Sequence, residues 1–101
     1  SGRIVRGQEA KELGLATHVD DNPLAAAEKL AAEFATRSPD AVAAGKRLLQ
    51  QAWHVNESDA LGFERLWQRR LMGRANQRIA VRNNMSREAM KNPRPFKPRA
   101  V

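Results

Sequence analysis

Two proline-bearing motifs divide this chain and set most of what it can fold into. In Asp20-Asp21-Asn22-Pro23 and again in Ser38-Pro39, short polar side chains stand immediately before a proline. That order starts a helix. The side-chain oxygen accepts a free N–H of the first turn, and proline fits where the N–H would have no partner. After Pro23, the residues Leu24, Ala27, Leu30, Ala31 and Phe34 recur at steps of three and four, which predicts one apolar stripe on a helix of about four turns. After Pro39, the residues Val42, Gly45, Leu48, Leu49 and Ala52 share a side of a second helix that runs to about residue 53. Its small residues Ala41, Ala43, Ala44 and Gly45 leave room for another helix to approach closely.

Asn56 or Ser58 caps a third, longer helix. In it Ala60, Phe63, Leu66, Trp67 and Leu71 face a core, Arg65, Arg69, Arg70 and Arg74 face elsewhere, and Gly73 is a point of interruption. The flanks read differently. Residues 8–13 form a short helix stopped by Gly14. Residues 15–19 are extended, and form a strand only beside a partner. Past Ile79 the apolar pattern thins, and the closing NPRPFKPRAV holds too much proline to be helical. The expected fold is mainly α, with three substantial helices, a short leading helix and an extended Pro-rich tail. No linker divides the chain, and 101 residues make one domain at most.

Several chemistries find no footing in these residues. There is no Cys, which rules out thiolate, disulfide and Cys-based metal chemistry. His18 and His54 are far apart and neither has a ligand-like neighbour, so surface or half-buried roles are the ordinary ones for them. The acids fall at helix starts and on polar faces. Glu28 and Glu33 belong to the solvent side of the first long helix, and Glu64, beside Phe63, suits an ion pair with an Arg one turn away. No Gly-rich phosphate cradle, metal spacing or nucleophile elbow is present, so no catalytic or metal-binding residues are assigned to this chain. No apolar run approaches the roughly 20 residues of a membrane span, and no targeting signature is seen, which makes a cytoplasmic location the expectation.

The charge is lopsided. Residues 58–101 carry eleven Lys/Arg against three Asp/Glu, while residues 1–57 carry seven against eight. Arg70, Arg74, Arg78 and Arg82 are four apart, and on an unbroken helix they would make a slowly drifting track for phosphates. Aromatics do not interleave with them, so a stacking platform for single strands is poorly supported. A stand-alone basic helical module that binds nucleic acid or an acidic partner is the alternative this charge supports.

The order of motifs resembles one known family. Gly2-Arg3, Glu9-Ala10, Leu13-Gly14-Leu15 and Val19 are similar to the segment that follows the catalytic core of the crotonase family, the enoyl-CoA hydratases and isomerases. Ser38-Pro39, then Ala41, then Lys46-Arg47-Leu48-Leu49, resembles that family's "Ser-Pro … Ala … Lys-x-Leu-Leu" helix, and Glu64 falls where its next helix often carries a Glu. Lys91 and Phe96 line up with the closing Lys and Phe of its "Glu-Gly-x-x-Ala-Phe-x-x-Lys-Arg … Phe" box. Asn83-Asn84 replace Glu-Gly there, and Arg87-Glu88 replace Ala-Phe.

The resemblance implies a C-terminal piece of a longer enzyme. Residues 1–22 would end the spiral core, 23–92 would be the helical region that covers the active site and builds the trimer, and 93–101 a tail. The oxyanion hole and acid–base carboxylates would lie in the preceding core. The implied partners are that N-terminal core, further copies in a trimer or dimer of trimers, and an acyl-CoA substrate, with no membrane. Coenzyme A enters as the thioester of the substrate and not as a tightly bound cofactor. Lys91 would approach a CoA phosphate, whereas Glu88 cannot supply the family's aromatic contact to adenine.

Overall fold

The computed structural model describes residues 2–101, which contain six helices and no strand. They fall into two compact units that divide between Glu33 and Phe34.

The first unit holds α1, Gly7–Glu12, and most of α2, Pro23–Ala35. α1 stops where expected. Gly14 takes a left-handed backbone at φ 74°, and the N–H of Leu15 turns back to the Ala10 carbonyl at 2.8 Å. A Cβ at Gly7 would meet the Val19 side chain at 3.2 Å, a tight contact that Val19 would have to ease by shifting slightly. α2 opens on the side chain of Asn22, whose Oδ1 accepts from the Ala25 N–H at 3.2 Å, while Asp20 Oδ1 accepts from the Asn22 N–H. The stripe expected on α2 is uncovered, with Leu24 and Phe34 both exposed. The Arg3–Glu9 ion pair spans 2.6 Å in a largely exposed setting, where such a pair contributes little.

The second unit holds α3, Pro39–Ala52, α4, Glu57–Leu71, α5, Ala75–Asn84, and α6, Arg87–Lys91. Ser38 caps α3 by accepting from the Ala41 N–H at 3.4 Å. Asn56, not Ser58, caps α4, accepting from the Asp59 N–H at 2.9 Å and donating back to the Asp59 carboxylate at 3.0 Å. Gly73, at φ 75°, ends α4 and lets α5 begin. α5 therefore carries the helical pattern on to Asn84, and Ser86 caps the short α6 through the Ala89 N–H. α3 packs against α4 and α5, and α5 against α6.

The packed interior is small and largely polar. Ala44 and Trp67 are the buried apolar side chains among the described residues, beside the buried Ser38, Asp40, Asn76 and Asn83. On α3 the buried line runs through Asp40 and Ala44. Val42 and Leu49, expected on the core side, are exposed, Leu49 by 64%. Trp67 is as expected for α4. Its indole N–H donates to Gln51 Oε1 at 3.0 Å, and the guanidinium carbons of Arg70 and Arg47 stand 4.9 and 5.6 Å from its ring centre. Trp67→Phe keeps an aromatic ring but a smaller one, loses the donor and weakens both cation contacts. Its expected cost is about 1–2 kcal/mol of unfolding free energy, read from urea denaturation.

Candidate functional site: the tail clamp and its groove

The best-defined polar arrangement in the second unit grips the chain's last residues. Asn83 Oδ1 accepts from the Arg94 N–H and Asn83 Nδ2 donates to the Arg94 carbonyl, both at 2.9 Å. Asn76 does the same one step further on. Its Oδ1 accepts from the Lys97 N–H at 2.8 Å, and its Nδ2 donates to the Lys97 carbonyl at 3.0 Å. Each amide side chain thus satisfies both backbone groups of a single tail residue.

The spacing explains why this works. Asn76 and Asn83 are seven residues apart, two turns of one helix face, which is roughly 10.5 Å along α5. Three residues of a polyproline II chain advance roughly 9.3 Å and return to the same side. Arg94 and Lys97 are three apart, so the tail runs antiparallel to α5 with its backbone in step. The next in that series, Ala100, donates to Asp40 Oδ1 at 2.6 Å, and Val101 donates to the same oxygen at 3.3 Å. Prolines stand at 93, 95 and 98, where no clamp uses an N–H. A proline at 94, 97 or 100 would delete a donor that the clamp needs.

Asp40 joins the pieces. Its Oδ2 accepts from Asn76 Nδ2 at 3.0 Å, so one carboxylate in the first turn of α3 holds both α5 and the tail. The Ala100 N–H holds its carboxyl below the usual carboxylate range, with help from Asn76, Val101 and the charge of Arg74, against the opposing effect of burial. Every buried side-chain nitrogen and oxygen among the described residues has a hydrogen-bond partner. A polar cluster with all its bonds made is stable at low dielectric, and one missing member leaves the others orphaned.

By fixing the Arg94 and Lys97 backbones, the clamp shapes a groove. Arg78, Ile79 and Arg82 of α5 line it with Arg94, Phe96 and Lys97 of the tail, around a cavity of about 730 Å³. The four-spaced Arg series is not continuous. Arg70 lies on α4, Arg74 is the N-cap residue of α5, and only Arg78 and Arg82 of the four share one helix. Lys91 is exposed in the last turn of α6 and does not line this groove. Glu64 is exposed, with no ion pair to an Arg among the described residues.

In the first unit, His18, Asp20, Lys29 and Leu30 help line a cavity of about 520 Å³. His54 is exposed at the end of α3, and no group of three or more His, Asp or Glu converges among the described residues. No helix there is long and apolar enough to cross a membrane. Comparison with protein-family models, with characterised proteins and with solved structures finds no match to this chain.

Sequence reasoning did not find Asn76, or assign roles to Asn83 and Asp40. The available signal was a pair of Asn seven apart on one helix, followed by a tail with prolines at 95 and 98, one polyproline turn apart.

Proposed function

We propose that this chain is the helical C-terminal region of a crotonase-like acyl-CoA enzyme of the enoyl-CoA hydratase/isomerase type. It serves subunit association and forms part of the acyl-CoA pocket wall, with Lys91 directed to a CoA phosphate. The observation that carries this reading is the uncovered apolar surface. Trp53 is 83% exposed, and Leu24, Leu15, Leu49 and Met72 are exposed with it, while the buried apolar set is only Ala44 and Trp67. A chain with this balance has faces that another surface is needed to cover. A covering, assembly-forming region is what the ordered family motifs imply, and the Ser38-Pro39 helix start on which the resemblance leans forms as a capped helix.

The reading separates the segment from the reaction. Hydration of an enoyl thioester needs carboxylates that position water and move its proton, and donors aimed at the developing oxyanion. No such constellation is found among the described residues, so the 101-residue chain by itself is expected to hydrate no crotonyl-CoA above the background rate. Loss of the conjugated enoyl-thioester absorbance of crotonyl-CoA, with the thioester retained, catalysed by the pure chain would contradict this. The family reading itself is tested on the intact protein, which should bind or turn over acyl-CoA thioesters, and it is abandoned if neither occurs. The alternative, a stand-alone nucleic-acid module, draws on the basic last 44 residues and requires duplex affinity that falls steeply with salt.

A further inference from the structure

Four cationic side chains meet at the groove between α5 and the tail, and no carboxylate lines it. Arg78 and Arg82 are one turn apart on α5, a like-charge spacing that destabilises a helix unless something intervenes. Arg94 and Lys97 are brought opposite them by the Asn83 and Asn76 clamps. All four are exposed, and none has an ion-pair partner among the described residues. The fold thus concentrates positive charge at one place and holds two of its carriers there by the backbone.

An anion relieves that repulsion, and the guanidinium forks of three arginines suit phosphate oxygens in bidentate pairs. Four cations lining a cavity of about 730 Å³ match the charge of two or three linked phosphates better than that of one. The size falls within the about 300–1,000 Å³ of small-ligand sites. Ile79 and Phe96 add an apolar wall, which suits an organic body joined to the phosphates. A long nucleic acid fits less well. Gly73 separates α4 from α5, so the arginines make no continuous track, and Phe96 is the one aromatic at the groove.

We propose that the groove between α5 and the clamped tail is a binding site for a small oligophosphate ester, a molecule with two or more linked phosphates and a ring-bearing or apolar body. Lys91 is not part of it, so the site stands whether or not the acyl-CoA reading holds.

The test is calorimetric titration of the whole chain at low ionic strength with ADP, inorganic tripolyphosphate and adenosine. ADP and tripolyphosphate should each bind one site per chain, and adenosine should not bind. Arg78→Gln with Arg82→Gln should weaken ADP at least about tenfold, the effect of losing one or more charge-assisted contacts. Lys11→Ala, at an exposed cation outside the groove lining, should leave ADP binding unchanged. Both arginines are exposed, so unchanged far-UV dichroism is expected of the double variant. Lys97→Met, which alters only a side chain and spares the clamp, gives a second reading and should weaken ADP in the same direction. The proposal is overturned if neither phosphate probe saturates, if the double variant and Lys97→Met bind ADP like the parent, or if Lys11→Ala abolishes binding. Tripolyphosphate binding without ADP binding would remove the ester and leave inorganic polyphosphate. Displacement of both probes by duplex DNA, with a salt slope reporting many phosphates, would replace the site with a nucleic-acid surface.

Discussion

Asp40→Asn should cost the second unit about 2–4 kcal/mol of unfolding free energy at neutral pH, although it changes one oxygen to one nitrogen. Asp40 offers only acceptors, to the Ala100 and Val101 N–H groups on one oxygen and to Asn76 Nδ2 on the other. An amide placed there turns a donor toward one of these donors in either orientation. With Asp40 buried to 2% exposure, water cannot make good the loss.

The same carboxylate predicts the pH response. Its folded-state pKa is depressed, chiefly by the Ala100 N–H. The stability it contributes is therefore fully present above the ordinary carboxylate value, about pH 4, and is lost as pH falls through the lower folded value. Denaturation midpoints measured from pH 7 downward should show the parent falling toward Asp40→Asn, which lacks this titration. A gap between the two that stays constant with pH would mean that Asp40 holds the tail by shape and not by charge.

Asn76→Asp is expected to be the more damaging change and to respond to acid in the opposite sense. Asn76 is 1% exposed, and its Nδ2 lies 3.0 Å from Asp40 Oδ2, so the variant faces one buried carboxylate with another. It also loses its donor to the Lys97 carbonyl. An uncompensated buried charge of this kind costs about 3–5 kcal/mol. Two carboxylates at that separation share a proton, which raises the folded-state pKa of the pair above its unfolded value. The folded state then binds more protons than the unfolded chain, so Asn76→Asp should gain stability as pH falls while the parent loses it. Asn76→Ala supplies the control, since it removes the bonds without adding the charge. If Asn76→Asp and Asn76→Ala have parallel pH profiles, the two side chains do not face each other as described.

The helices were legible because their boundaries are local chemistry. Ser38 before Pro39 and Asn56 before the α4 run each satisfy first-turn N–H groups from within a few residues, and the left-handed Gly14 and Gly73 mark ends by the same short-range logic. Core assignment was less legible. Trp67 is buried as its periodicity says, but Val42 and Leu49 obey the same rule and are exposed, because an apolar stripe says that a face wants cover and not what supplies it. The clamp was the hardest part to read. Asp40 has the composition of an ordinary first-turn acid and Asn76 that of an ordinary helix-surface residue. Their roles depend on partners 60 and 21 positions away. The same difficulty affects the groove, whose two walls are separated in sequence and joined by Asn76, Asn83 and Asp40.

The clamp also orders events in time. A bond from Asp40 to Ala100 closes a loop of sixty residues, and the entropic cost of that closure is smaller once the intervening helices have shortened the loop. Asp40 and Asn76 come within reach of each other through the packing of α3 with α5, so the Ala100 contact depends on that packing, whereas α5 alone supplies the Arg94 and Lys97 contacts. Ala100 and Val101 are then expected to dock last on refolding and to leave first on unfolding. In hydrogen exchange the Arg94, Lys97 and Ala100 amides should be slow together while Phe96 and Arg99 between them exchange freely. That alternation of three would report, from the chain's end, whether its helical unit has finished assembling.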